Sequence, residues 1–259
     1  MATVGTPYMW QVDHVPLSLD PTTLLVAMVA AFVLAVVSAV AGFGGGVVLL
    51  PVFVGLFGLR VAVPVLTLTQ LVSNGSRVAL NRRGIDRSLV GWFALGAVPC
   101  AIGAGLLFAA APLGFLERLL GVLLLVVVVW RRLRPRPPRV SEHAFVAVGA
   151  ASGLGSALVG SVGPLTAPFF LARGLVKEAY IGTEAASAVV MHAAKLAAYG
   201  VGALLSVRVL VLGLLLAPAT MLGAWVGRHV VLRISDRAFV VVVEVGLVAS
   251  AVLLIVGVG

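Results

Sequence analysis

The feature that most restricts the fold is a series of long segments without any charged residue. Five such runs recur along the chain: Pro21–Phe43, Ser88–Leu116, Ala144–Ala172, Val209–Gly227 and Val245–Gly259. A helix needs about 20 apolar residues to cross the hydrocarbon core of a bilayer. The chain is also only 10% charged, whereas an ordinary soluble domain is about 25% charged. The sequence therefore predicts an all-α, polytopic membrane protein.

The apolar segments predict about eight transmembrane helices and two shorter pieces. We expect the long helices at 21–42, 61–81, 88–110, 115–131, 142–160, 178–203, 207–228 and 237–257. The shorter pieces, 46–58 and 163–173, follow the first and the fifth long helix. A helix of about 13 residues extends about 20 Å, which is too short to cross a bilayer upright. Each short piece is therefore predicted to be a half-helix that turns the chain back.

The distribution of basic residues predicts the orientation. Most of the 18 lysines and arginines lie in four predicted loops, at 82–87, 131–141, 173–177 and 228–237. The positive-inside rule places such loops in the cytoplasm. Both termini, including an N-terminal tail at 1–20, are then expected outside the cell membrane. Because the net charge of +9 is explained by topology, it does not indicate a nucleic-acid partner.

A glycine-rich break and its second copy predict an internal repeat. The stretch "AGFGGGVVLLPVF" interrupts the first apolar region, and glycine tolerates the backbone angles that such a break needs. Placing Pro51 over Pro168 also places Gly46 over Gly163. Each half contains a broken hairpin and three full crossings. Because three is odd, the second half begins on the opposite face, which is typical of transporters with inverted repeats. The predicted organisation is repeat 1 at 21–130, a basic cytoplasmic linker at 131–141 and repeat 2 at 142–259.

Two predicted helices carry polar side chains at helical spacing. Such residues are costly within a membrane and are functional candidates by default. Thr67, Gln70, Asn74, Arg77 and Asn81 form one stripe on helix 61–81, and Glu184, Ser187, His192 and Lys195 share much of one face of helix 178–203. Under the repeat symmetry, the two stripes should face each other near the bilayer midplane.

Half-helix N-termini, basic side chains and neutral donors together suit a small anion. The candidate substrate-binding residues are Gly44, Gly45, Gly46, Gln70, Asn74, Arg77, Gly163, Ser187, His192 and Lys195. Three residues that can change protonation, Glu184, His192 and Glu244, are candidates for proton coupling.

Each candidate also has a structural interpretation, and the sequence leaves these alternatives open. Arg77 could extend to the cytoplasmic surface, and Glu184 could simply neutralise Lys195. His192 could be a hydrogen-bonded packing residue, while Gln70, Ser73 and Asn74 could join helices. Glu244 could carry a proton or pair with a nearby base.

The segments "AGFGGGVVLLPVFV", "GSVGPLTAPFFLA" and "GTEAASAVVMHAAKLAAYG" resemble the sulfite exporter (TauE/SafE) family, also called the toluene sulfonate uptake permease family. The resemblance covers roughly residues 22–257. Gly44, Gly45, Gly46 and Pro51 match its first motif. Gly163 and Pro168 match the second, where "SVGP" lacks the fuller glycine run often found there. The resemblance implies a multi-pass plasma-membrane carrier of sulfite, sulfoacetate or another organosulfonate.

The leading interpretation is a secondary carrier that exports such an anion from a midplane site, with proton coupling as a further hypothesis. An anion channel and a carrier for another small oxyanion are the alternatives. A cysteine relay for thiosulfate is disfavoured by the lone Cys100. An enzyme is disfavoured because one histidine and one glutamate make neither a metal site nor a triad. No cofactor is expected, the partners are the anion and the bilayer, and a homodimer stays open.

Overall fold

The computed structural model describes residues 20–40, 46–112, 140–160, 163–175 and 177–230, with scattered positions between 114 and 133. Within these residues the fold is all-helical. The helices are α1 (Pro21–Val40), α2 (Gly46–Phe57), α3 (Leu59–Leu80), α4 (Arg87–Ala110), α5 (Phe145–Val159), α6 (Gly163–Ala172), α7 (Lys177–Val201) and α8 (Val207–Val230), with a short 3₁₀ helix at Arg82–Gly84.

These bounds lie within three residues of the predicted ones. The described positions of the predicted helix 115–131 are helical. The predicted helix 237–257 lies outside the described residues.

Each half of the chain contains one short helix beside a break. Helix α2 has 12 residues and α6 has 10, so they extend about 18 and 15 Å. Gly160 ends α5 with a φ of 80°, a left-handed conformation that glycine adopts without steric cost. Gly58, which separates α2 from α3, has a φ of 73°. Both short helices are therefore bounded by turns that favour glycine.

The longer helices pack mainly across the two halves of the chain. Helix α1 packs on α8, and α5 packs on α4. Helix α3 contacts α8, just as α7 contacts α4, and α3 and α7 pack on each other. The short helices stay with their sequence neighbours, since α2 contacts α1 and α3 while α6 contacts α5 and α7.

Glycines bring α4 and α5 into backbone contact. A Cβ atom added at Gly149 would overlap the carbonyl oxygen of Phe93, and one added at Gly153 would overlap that of Ala97. Gly149 faces Phe93 and Gly153 faces Ala97, so the residue numbers rise in the same direction along both helices. Helices α4 and α5 therefore run parallel. Gly149 and Gly153 form a G-x-x-x-G pattern, which lets helix backbones approach closely in membranes. We call the contact of Gly149 and Gly153 with Phe93 and Ala97 the glycine seam.

Polar groups fix the two ends of α4. At its start the Asp86 side chain accepts a hydrogen bond from the backbone N–H of Leu89, 3.0 Å away, as an N-cap does. At its end the Arg60 guanidinium donates to the carbonyls of Ala109 and Ala111, at 2.9 and 2.7 Å. These carbonyls have no partner within the helix, and a cation there also complements the helix dipole.

Among the described residues, α4 is the helix that is long and apolar enough by composition to cross a membrane. Shorter apolar stretches occur at Pro21–Val33, Phe145–Leu158 and Val207–Gly223. Helices α3 and α7 have sufficient length, with 22 and 25 residues. Their polar stripes lower their apolar content.

Candidate functional site

The polar stripes of α3 and α7 meet at an ion pair. Nη2 of Arg77 lies 3.0 Å from Oε2 of Glu184, and the two side chains are 18% and 5% exposed. Nη1 of Arg77 donates a hydrogen bond of 2.9 Å to Oδ1 of Asn74. We call Asn74, Arg77 and Glu184 the Arg77 cluster. Arg77 is thus held inside the helix bundle, and Glu184 pairs with Arg77 rather than with Lys195.

The α3 stripe is buried along most of its length. Thr67, Gln70 and Asn74 are at most 4% exposed, whereas Asn81, at the end of the helix, is partly exposed. On α7, Ser187 is 1% exposed and its Oγ lacks a hydrogen-bond partner among the described residues. Leaving a buried hydroxyl without a partner costs about 1–3 kcal/mol. Ser187 therefore stays a candidate substrate-binding residue.

A second polar cluster surrounds the fully buried Lys195. Its Nζ donates to Oγ of Ser156 at 3.0 Å and to the carbonyl oxygen of Gly160 at 2.9 Å. Nδ1 of His192 lies 3.5 Å from the same Nζ, and both Lys195 and His192 are at most 2% exposed. We call Ser156, Gly160, His192 and Lys195 the Lys195 cluster. It attaches α7 to the carbonyl end of α5, where the helix dipole favours a cation.

The Lys195 cluster lies where the two halves of the chain approach each other. Gly160 is so close to α3 that an added Cβ would lie 2.6 Å from Cδ2 of Leu66 and 3.8 Å from Cδ1 of Leu50. Leu50 belongs to the beginning of α2, which starts at Gly46. The α5–α6 break therefore lies beside the start of the other short helix.

The two clusters occupy different levels of α7. Glu184 and Lys195 are eleven residues apart, which corresponds to about 16 Å along a helix. A small oxyanion is much shorter than this, so it cannot contact both clusters at once in this conformation. The structure therefore places Arg77 and Lys195, which the sequence analysis assigned to one anion site, in two separate clusters.

The predicted starts of the short helices agree with the structure, since Gly46 begins α2 and Gly163 begins α6. Gly44, Gly45 and Glu244 lie outside the described residues. Among the residues that the structure does describe, no group of three His, Cys, Asp or Glu side chains is placed to hold a metal ion.

Ser156 is a site residue that the sequence reasoning missed. It lies in "GLGSALVG", where a single serine among small residues resembles helix-packing sequence. The available signal was its position four residues before Gly160, one helical turn from the break. Tyr199 was also missed; its hydroxyl donates a 2.7 Å hydrogen bond to the carbonyl of Ala157, next to Ser156.

Comparison with protein families gives one match. The family described as "Sulfite exporter TauE/SafE" matches residues 27–254, which is most of the chain. Comparison with curated proteins and with solved structures gives no match.

Proposed function

The chain belongs to the sulfite exporter TauE/SafE family, and from this membership we propose that it is a secondary carrier that exports sulfite or an organosulfonate. Membership of this family implies an exporter-type transporter of sulfite or a similar sulfur-containing anion. The specific substrate, outward transport, location in the cell membrane with both termini outside, and a binding site between two inverted repeats are parts of the proposal.

The helix pairing supports the inverted-repeat part of the proposal. If α1–α4 correspond to α5–α8 in order, the α1–α8 contact becomes the α5–α4 contact when the halves are exchanged. The α3–α8 contact likewise becomes the α7–α4 contact, and the α3–α7 contact maps onto itself. A two-fold axis that relates two repeats has this property, and substrate sites of such transporters lie at the repeat interface near the midplane.

The single observation that carries the substrate class is the burial of Lys195 at the α5–α6 break. Its side chain is fully buried, and its described polar contacts are a hydroxyl, a carbonyl and an imidazole. A cation in a dry interior is costly unless it is paired. A small anion beside Lys195 would supply the missing negative charge.

The polarity of the break supports the same assignment. Lys195 contacts the carbonyl end of α5, and α6 begins at Gly163, three residues after Gly160. Helix N-termini carry unpaired N–H groups and favour anions. The proposed site therefore places the anion between the N-terminus of α6 and Lys195. His192 lies beside Lys195 in this site, whereas Ser187 and Gln70 remain candidate anion-binding residues elsewhere on the polar faces of α7 and α3.

In this conformation Arg77 has a secondary role in the proposal. Its charge is balanced by Glu184 at 3.0 Å, so it attracts an anion less than Lys195 does. We propose that the Arg77 cluster holds α3 and α7 together at the end that we place toward the cytoplasm. Glu184 remains a candidate proton-binding residue.

The test is uptake by purified protein in liposomes, with sulfite and sulfoacetate as substrates. We expect saturable uptake and accelerated exchange when unlabelled substrate is present inside. We expect Lys195→Met to lower kcat/KM at least about tenfold, because removing one partner of a buried ion pair costs about 3–5 kcal/mol. Arg83→Gln, which removes an exposed arginine, is the matched control and should transport like the wild type.

The outcomes separate the parts of the proposal. Flux that rises linearly with concentration, without exchange, would indicate a channel. Wild-type kinetics in Lys195→Met would place the anion elsewhere, with the Arg77 cluster as the next candidate. The absence of flux for both anions would remove the substrate class.

A further inference from the structure

The contacts of Lys195 remain satisfied whether or not its amine carries the third proton. As an ammonium group, Nζ donates to Oγ of Ser156, to the carbonyl of Gly160 and to Nδ1 of His192. As a neutral amine, it donates to Ser156 and Gly160 and accepts from N–H at Nδ1 of His192, which then has the other tautomer. Neither state leaves a buried donor or acceptor of the amine unpaired.

Few titratable groups among the described residues near Lys195 could stabilise one protonation state of its amine. Helices α2, α5 and α6 contain no titratable residue, and between Ser88 and Ala110 helix α4 contains only Cys100. On α7 the nearby titratable groups are His192 and Tyr199, and the Tyr199 hydroxyl donates to α5. No carboxylate is within salt-bridge distance of Lys195 among the described residues.

The charged residues of the remaining neighbours have other partners or lie at the helix ends. On α3, Arg77 pairs with Glu184 about 16 Å along α7 from Lys195, and Arg60 binds the carbonyl end of α4. On α8, Arg208 lies in the first turn, and Arg228 and His229 lie in the last. Among the described residues, no fixed charge therefore balances a proton on Lys195.

We propose, on the basis of the transport function above, that Lys195 is the proton-coupling residue and that His192 exchanges the proton with it. The empty site holds a neutral amine. Anion binding brings a proton onto Nζ from the same side of the membrane, and both leave together on the other side. No covalent bond to the substrate forms or breaks. A monoanion then crosses with one proton and no net charge, and an outward anion gradient moves both.

Lysine can serve in this way because it gives up its proton when buried, whereas arginine stays charged under all conditions in a protein. Lys195→Arg therefore keeps a cation for the anion but removes the exchangeable proton. We expect this variant to transport the anion without protons, and its flux should depend on the membrane potential. Glu184→Gln tests a second of the proton-coupling candidates named from the sequence.

The experiment uses the full chain in liposomes that contain a pH-sensitive dye, with the potential clamped by potassium and valinomycin. Methanesulfonate is the probe because a sulfonate does not bind a proton near neutral pH, so the protein must carry any proton that moves. In the wild type and in Glu184→Gln we expect a proton-to-anion ratio of about one, since lysine exchanges a single proton. In Lys195→Arg we expect proton flux at the level of protein-free vesicles.

Each result is decisive. Anion flux without acidification in the wild type would overturn the coupling role and leave the carrier function standing. Retained coupling in Lys195→Arg, or coupling lost only in Glu184→Gln, would also overturn it. If Lys195→Arg does not fold, as judged by gel filtration and circular dichroism, Lys195→Met takes its place, and its remaining methanesulfonate flux should carry no proton. Absence of sulfite, sulfoacetate and methanesulfonate flux in the wild type would instead refute the proposed function, and the coupling role with it.

Discussion

Arg77 and Glu184 join α3 to α7 through a largely buried ion pair, whose side chains are 18% and 5% exposed. Breaking a buried pair by removing one partner leaves an uncompensated charge and costs about 3–5 kcal/mol. We therefore expect Arg77→Gln and Glu184→Gln each to lower thermal stability in detergent strongly. The double variant should be less destabilised than the sum of the two, because no lone charge remains. Thermal unfolding of all four proteins as a double-mutant cycle measures this coupling.

A second ion pair provides the matched control. Arg173 and Glu142 form a salt bridge whose side chains are 36% and 35% exposed. Exposed pairs contribute about 0–1 kcal/mol, so the same glutamine substitutions there should change stability little. Equal effects at the buried and exposed pairs would contradict the burial of the Arg77 cluster.

Arg60 stabilises the end of α4 through two charged hydrogen bonds to backbone carbonyls. Arg60→Met removes both donors and the cation beside the helix dipole, and we expect a loss of about 2 kcal/mol. The loss should appear first as faster hydrogen exchange in the last turn of α4. Arg60→Lys, which keeps the charge, should lose less. Unchanged exchange near Ala109 in Arg60→Met would show that these carbonyls do not depend on Arg60.

At the residue level the sequence predicts faces better than partners. The spacing of Thr67, Gln70, Asn74 and Arg77 identified a buried face because helical period fixes direction around an axis. The partner of Glu184 depends on how far α3 is shifted along α7, and the period carries no information on that shift. For this reason only the structure could show that the ion-pair partner of Glu184 is Arg77 rather than Lys195.

The glycine seam predicts a sharp difference among glycines of similar sequence context. At Gly149 an alanine methyl group would overlap the carbonyl oxygen of Phe93. Helices α4 and α5 would have to separate, and overpacking of this kind costs about 1–3 kcal/mol. We expect Gly149→Ala to lower the melting temperature of the purified protein, with a further loss in the Gly149→Ala/Gly153→Ala double variant.

Gly103 on α4 is the control for the seam. A methyl group added there meets nothing within 4 Å, and alanine is favoured over glycine in a helix by about 0.5–1 kcal/mol. Gly103→Ala should therefore leave stability unchanged or raise it. If both Gly103→Ala and Gly149→Ala raised the melting temperature, the close approach of α4 and α5 would be contradicted.

At the level of elements, the helix boundaries were predictable because glycine and proline mark them. The breaks at Gly46 and Gly163 and the turn at Gly58 are all visible in the sequence as interruptions of apolar runs. The choice of neighbours was not predictable in the same way. The pairing of α1 with α8 joins segments far apart in the chain, and both surfaces are too uniformly apolar to specify a partner.

The orientation of the whole molecule is a prediction that cysteine labelling can test. Cys100 is the single cysteine, so a Cys100→Ala background permits one new thiol at a time. The side of Arg83 is predicted to be cytoplasmic, and that of Ala203 external; both residues are exposed. In intact cells a membrane-impermeant maleimide should label Ala203→Cys and not Arg83→Cys.

Permeabilised cells provide the control for this experiment, because both thiols should then react. Labelling of Arg83→Cys alone in intact cells would reverse the predicted orientation. Labelling of both thiols in intact cells would show that the loops do not lie on opposite sides.

The pairing of α1 with α8 also has a consequence for synthesis. The ribosome completes α1 about 170 residues before it reaches α8, and α4 must wait for the linker before α5 can fill its glycine seam. Contacts between such distant segments form late and leave apolar helix surfaces without protein partners in the meantime. The nascent chain therefore passes through a long period in which lipid, or the insertion machinery, covers the face of α1 that α8 will later occupy. A chain truncated before α8 would remain in that unfinished state and become a substrate for membrane quality control.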